Sequence, residues 1–202
     1  MVILGFDEHP HNFFEDGRTP LYFAAEGGHN DVAALLIQHG ADPCRTDCDF
    51  WTPLHYAARD GHSDVAALLI QHGADPCSTD DNGSTPLHYA AEGGHSDVAA
   101  LLIQHGADPC STDKLGGTPL HDAAEDGHSD VAALLIQHGA DLCSTDWWRR
   151  TPLHYAADGG HSDVVALLIQ HGADPCSTDR GVEHLFVVLL QLEIVTVADP
   201  MA

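Results

Sequence analysis

The tripeptide Thr-Pro-Leu recurs at Thr19, Thr52, Thr85, Thr118 and Thr151, always 33 residues apart. Between these anchors the chain repeats almost word for word. GHSDVAALLIQHGAD stands at Gly61, Gly94 and Gly127, with Asn30 for Ser in the first copy and Val165 for Ala in the last. A fixed period of this length means that one small unit, unable to bury its apolar face alone, is stacked on its copies. Counting domains from the length of 202 residues therefore does not apply, because the array is one cooperative body whatever its length.

Each unit carries its own local physics. In the second copy Thr52 is a suitable N-cap and Pro53 suits the first helical position, where its missing N–H is not needed. The helix that starts there is expected to run through Leu54, Ala57 and Ala58 and to stop near Gly61, which can take the left-handed conformation. Ser63 is the expected cap of a second helix, with Asp64 at the positive end of its dipole. Val65, Leu68 and Leu69 then form an apolar stripe as far as Gly73. The link to the next unit, rich in Asp, Pro, Ser, Thr and Gly, reads as an extended turn or hairpin.

The stretch TPLHYAARDGHSDVAALLIQHGAD resembles the ankyrin repeat, with its Thr-Pro-Leu-His, Ala-Ala, Gly-His and Gly-Ala-Asp landmarks at the expected spacing. The resemblance implies an all-α solenoid of stacked antiparallel helix pairs with projecting β-hairpin or turn loops, and a concave face that usually binds proteins. It covers residues 14–180, in five units of about 14–46, 47–79, 80–112, 113–145 and 146–178. Residues 1–13 would be an N-terminal extension, and 181–202, containing HLFVVLLQLEIVTV from His184 to Val197, an apolar C-terminal cap too short to span a bilayer. The start has no basic n-region or extended apolar core, so no cleaved signal is expected. Tyr22 replaces the motif His, Asp122 replaces a Tyr, and Phe50 and Arg149 replace the usual tip Gly. Cys44, Cys77, Cys110, Cys143 and Cys176 stand where the family commonly has Asn, which bears on the hydrogen bonding at the hairpin base.

Those cysteines recur once per unit, and rungs stacked about 8–10 Å apart are too far for a disulfide, which needs Cα atoms within roughly 7 Å. Nor can several rungs converge on one zinc. Cys44 and Cys48 form a lone C-x3-C, too little to define a metal site. Unpaired thiols fit a reducing cytosol. Of the 17 His, 14 sit in the copied landmarks and read as framework. A net charge of -24 disfavours nucleic acid and favours basic partners. The Asp residues of the SDV, GAD and TD landmarks supply 15 of the 31 acids and are expected to be a solvated framework.

The seven basic residues, Arg18, Arg45, Arg59, Lys114, Arg149, Arg150 and Arg180, all fall where the copies disagree. Disagreement concentrates in a few columns, and these are the candidate binding residues. The tip quartets are Cys48-Asp49-Phe50-Trp51, Asp81-Asn82-Gly83-Ser84, Lys114-Leu115-Gly116-Gly117 and Trp147-Trp148-Arg149-Arg150, with Glu15-Asp16-Gly17-Arg18 in the first unit. A first-helix column holds Phe23, Tyr56, Tyr89, Asp122 and Tyr155. Its helix ends carry Glu26, Arg59-Asp60, Glu92, Glu125-Asp126 and Asp158. The family resemblance places tips and first helices on the concave face.

Trp, Tyr and Arg are enriched in binding hot spots because they bury much area while keeping polar handles. Trp51 and Trp148, three units apart at about 10 Å per unit, would form two aromatic zones flanking a flatter centre. Arg149 and Arg150 would make the second zone locally basic and suited to an acidic loop of a partner. The competing reading is that the aromatics pack across adjacent tips and stabilise the array. Catalysis finds no Ser/His/Asp set outside the landmarks, no phosphate-cradling loop and no confined carboxylate pair. The expected function is thus non-catalytic binding of a protein or peptide by a cytoplasmic monomer, without cofactor, metal, nucleic acid or membrane. The alternatives are a structural spacer or an array selected from a library as a binder.

Overall fold

A computed structural model describes residues 17–179. The N-terminal extension, the apolar C-terminal cap, Glu15, Asp16 and Arg180 lie outside the described residues. Ten helices follow one another there as five pairs: α1 (Pro20–Glu26) and α2 (Asn30–Gln38), α3 (Pro53–Arg59) and α4 (Ser63–Gln71), α5 (Pro86–Glu92) and α6 (Ser96–Gln104), α7 (Pro119–Glu125) and α8 (Ser129–Gln137), α9 (Pro152–Asp158) and α10 (Ser162–Gln170). Odd helices pack on odd helices, even on even, and each on its own partner. The result is a two-layer stack with one continuous core.

The start of each odd helix follows from the Thr-Pro-Leu-His tetrad. Pro takes the first helical position and Thr52 stays extended at φ -96° and ψ 165°. His55, one turn in, folds back so that its Nδ1 accepts the Thr52 backbone N–H at 3.0 Å and lies 2.9 Å from Thr52 Oγ1. His88, His121 and His154 repeat this box. The first unit has Tyr22 instead, whose hydroxyl donates to the Arg45 carbonyl at 2.5 Å. Ser63 is not the cap of its helix: His62 occupies the N-cap and Ser63 is the first helical residue, a difference the sequence spacing of Gly-His-Ser could not separate.

Small residues set the packing distance. Leu54, Ala57 and Ala58 of α3 are fully buried, as are their copies in α5 and α7, and the paired alanines let neighbouring helices approach closely. Val65, Ala66 and Leu69 of α4 and their copies close the core from the second layer. A histidine stitches each repeat to the one before. Nε2–H of His62, His95, His128 and His161 donates to the carbonyls of Glu26, Arg59, Glu92 and Glu125 at 2.7–2.9 Å.

The linking loops are turns; among the described residues there is no β-strand. Each tip closes on itself, with Asp47 N–H donating to Trp51 O and Asp80 N–H to Ser84 O, both at 3.0 Å. Single backbone bonds tie neighbouring tips: Asp81 N–H to Asp49 O, Lys114 N–H to Asn82 O and Trp147 N–H to Leu115 O. One bond per pair of tips is too few to make a strand ladder.

The TD acids overturn the expectation of a solvated framework. Asp47, Asp80 and Asp146 are each only 6 % exposed. Asp47 Oδ1 accepts the N–H groups of Asp49 and Trp51, and its Oδ2 accepts the Tyr56 hydroxyl at 2.7 Å. The carboxylate is buried because these donors from loop and helix replace its water. The Asp residues of SDV and GAD, by contrast, are exposed.

Candidate functional site

The tips and the first helices lie along one edge of the stack, and the variable columns meet there as a ladder. In the ladder, the tyrosine of each first helix reaches down to the buried Asp of its own tip: Tyr56 to Asp47, Tyr89 to Asp80 and Tyr155 to Asp146, at 2.5–2.7 Å. Burial first, then the adjacent Asp, holds all three phenols above the range in which tyrosine ionises. These rungs are therefore neutral hydrogen-bond donors at any physiological pH.

At the N-terminal end the aromatics are packed together. Trp51 is half-buried, its ring 4.9 Å from Tyr56 and 4.3 Å from Tyr89. The Arg59 guanidinium sits 5.5 Å from the Trp51 ring and 5.2 Å from Tyr56, while it also pairs with Glu26 at 3.1 Å and Asp60 at 2.9 Å. Arg18 lies 5.0 Å over Tyr56. Trp51 thus bridges the second and third repeats by packing on their first-helix tyrosines, not on the adjacent tip, and exposes only part of its ring. Phe50, next to it, is 58 % exposed. Phe23, in the tyrosine column of the first repeat, is also exposed.

The C-terminal end is different. Trp147 and Trp148 are 64 % and 49 % exposed, and Arg149 beside them is exposed too. Arg150 turns inward, 5.6 Å over the Tyr155 ring and 3.5 Å from both Asp158 and Asp179. The two arginines separate into one solvent-facing cation and one structural brace, a division invisible in the dipeptide.

Between the two ends lies a groove of about 660 Å³ between the third and fourth repeats, with Tyr89, Glu92, Asp113 and Asp122 in its wall. It exists because the ladder misses a rung. Asp122 stands where the second, third and fifth repeats carry Tyr, so Asp113 receives no phenol hydroxyl from its own repeat and two carboxylates share the site instead. Asp122 is half-buried, and its carboxyl is pushed well above the usual range, by burial first and then by Asp113, Glu92, Glu125 and Asp126. Glu92 is raised as well, by burial and then by Asp126 and Glu125. Leu115 is half-exposed at the rim, and Lys114, the one cation among the lining residues, donates from its ammonium to the Asp81 carbonyl. Asp49 and Asp81 are exposed, and Ser84 is half-buried with its carbonyl receiving His55.

Two features were missed by reading columns for variation. The buried TD acids are invariant and so carried no signal of difference; the signal present was a Tyr nine residues after each of Asp47, Asp80 and Asp146. The groove was encoded as an absence, a single Asp in a Tyr column. All six cysteines are exposed, and those at 44, 77, 110, 143 and 176 are free thiols. Those at 44, 77 and 110 point Sγ at the carbonyls of Gly73, Gly106 and Gly139, at 3.2–3.4 Å, so a weak thiol donor ties the loop base to the next repeat. No three His, Cys, Asp or Glu side chains converge as metal ligands among the described residues. None of the described helices is long and apolar enough to cross a membrane.

A family model for ankyrin repeats in three copies matches the chain over residues 2–80, 46–113, 73–146 and 108–179. No curated protein matches it. The overlapping matches run across most of the sequence and coincide with the five stacked helix pairs, and the chain belongs to the ankyrin repeat family.

Proposed function

We propose that this array is a non-catalytic recognition module, binding a protein or peptide along the edge formed by its tips and first helices. Ankyrin repeats generally act as protein–protein interaction modules. The observation that carries the reading for this chain is where its large apolar side chains are exposed. Of the seven such residues among those described, Phe50, Leu115, Trp147 and Trp148 sit on tips. Exposed aromatics and a solvent-facing Arg in one row are what a hot-spot surface presents.

The surface is graded along its length. Phe50 at one end and Trp147 with Trp148 at the other offer apolar area, Arg149 offers a cation for a carboxylate, and the central groove offers negative charge to a Lys or Arg side chain. A partner segment that matches this order carries apolar residues at both ends and a basic one between. The free thiols of Cys44, Cys77, Cys110, Cys143 and Cys176 fit work in the reducing cytoplasm.

The test is affinity capture from a cell extract by the intact chain and by W147A/W148A, followed by calorimetry with the captured protein. Loss of capture at a nearly unchanged Tm is the expected result, because about half or more of each Trp side chain is in solvent. Undiminished binding by the double variant would overturn the reading.

A further inference from the structure

One cysteine stands at the base of each loop, and in three repeats its thiol is tied down in the same way. Cys44, Cys77 and Cys110 donate to the carbonyls of Gly73, Gly106 and Gly139 in the following repeat, at 3.2–3.4 Å. Cys143 also has a repeat after it, yet only its backbone is engaged, its N–H donating to Asp141 Oδ1 at 2.9 Å, and its Sγ makes no hydrogen bond among the described residues. The same unit carries Leu142 where Pro43, Pro76, Pro109 and Pro175 stand in the other four.

Cys143 lines a pocket of about 300 Å³, between the loop that joins the fourth repeat to the fifth and the loop that follows α10. That volume lies at the small end of the range of ligand sites. Two of the wall residues, Leu142 and Arg149, depart from the repeat; Gly17, Gly83 and Gly116 hold the Arg149 position in other tips. In an array otherwise copied almost word for word, both departures fall on the pocket that holds the one untied thiol with a repeat after it. Arg149 is exposed and makes no ion pair among the described residues. Across the wall, Asp174 Oδ1 accepts the Cys176 N–H at 2.9 Å, and its Oδ2 makes no hydrogen bond among the described residues. Thr145 and Thr178 add exposed hydroxyls.

We infer that this pocket admits a short zwitterionic thiol peptide of the glutathione class and that Cys143 forms a mixed disulfide with it, Arg149 taking a carboxylate and Asp174 an ammonium group. One cation, one anion and a thiol in a small pocket match a ligand that carries the complement of all three. The co-reactant is the peptide's own disulfide. The Cys143 thiolate attacks one of its sulfurs, the peptide S–S bond breaks, the Cys143–peptide S–S bond forms, and the released peptide thiolate takes up the proton that Cys143 gave up. The pocket meets the proposed recognition edge at Arg149, and the inference does not depend on what that edge binds.

The test follows each cysteine of the reduced full chain by peptide mass spectrometry during incubation with glutathione disulfide and, in parallel, with the uncharged bis(2-hydroxyethyl) disulfide. With glutathione disulfide, Cys143 is expected to react at least about tenfold faster than Cys44, Cys77 and Cys110. With the uncharged disulfide that lead should shrink several-fold, and Arg149→Gln should slow the glutathione reaction at Cys143 while leaving the other reaction unchanged. Equal rates at the four thiols, or first reaction at any other cysteine, overturn the inference. A lead for Cys143 that is the same with both disulfides also overturns it, because the thiol would then be open without a pocket that recognises the peptide. Should the variant fail to fold, the comparison of the two disulfides on the unaltered chain still decides.

Discussion

At the scale of single residues, the tips show how much a repeat tolerates. The residue before the last of each tip turns in the left-handed region: Gly17, Gly83 and Gly116 at φ 70°, 81° and 80°, but Phe50 at 62° and Arg149 at 63°. A side chain there costs roughly 1–2 kcal/mol, of which Gly returns part as unfolded-state entropy. Arg149→Gly should therefore raise the unfolding free energy by about 0.5–1 kcal/mol in urea titration, since the exposed side chain gives up no packing. No gain, or a loss, would mean that the guanidinium makes a stabilising contact. A non-glycine kept at a glycine position in the proposed edge is what a surface retaining side chains for a partner would show.

The repeated turn geometry explains the imidazoles at the same scale. His55 Nδ1 accepts the Thr52 N–H, so the ring is neutral with its proton on Nε2. Burial, the largest influence, pushes its pKa down to about 4, and burial lowers His88, His121 and His154 likewise. A depressed folded pKa means that the unfolded chain takes up protons first. The stabilisation is intact above the ordinary His value of about 6.5 and is lost as pH falls from there toward about 4. Chemical denaturation at a series of pH values should show stability falling through that window, and His55→Gln should flatten part of the slope.

At the scale of elements, each complete rung is a Tyr on an odd helix resting on the Asp of its own tip, and α7 lacks one. Asp122→Tyr restores the phenol over Asp113 and removes one buried carboxyl. It should stabilise the protein by at least about 1 kcal/mol at pH 7. The pH dependence distinguishes the causes. Asp122 holds its proton more tightly folded than unfolded, so its ionisation weakens the fold as pH rises from the usual carboxylate range through its raised value. The advantage of Asp122→Tyr should accordingly shrink in acid; a constant advantage would assign it to packing alone. The same substitution fills the groove, and weaker binding of a basic partner segment should accompany the gain in stability.

At the scale of the whole molecule, 31 acids face seven bases on one chain. Two of those bases, Arg59 and Arg150, are already paired twice. Most acids therefore repel one another across an extended stack. Raising ionic strength from about 0.01 to 0.15 M shortens the screening length from about 30 to about 8 Å, and Tm should rise with it. A fall in Tm would show that the few ion pairs outweigh the repulsion.

Repetition makes the architecture legible in the sequence alone. The Pro after Thr, the paired alanines, the stripe of Val and Leu and the glycine at each helix end are local instructions, and five copies of them leave stacking as the only way to bury the core. Local chemistry also marks the columns in which the repeats differ. What the sequence could not assign is the role of each residue within a column, because that depends on neighbours 33 residues away. Trp51 is drawn into a stack by Tyr56 and Tyr89, whereas Trp147 and Trp148 stay in solvent. Arg150 braces its repeat, while Arg149 faces outward. The TD acids looked like surface charge and proved to be buried acceptors, since only the folded turn brings two backbone N–H groups and a phenol to one carboxylate. Period and propensity act along the chain; burial and hydrogen-bond partnership are decided across it.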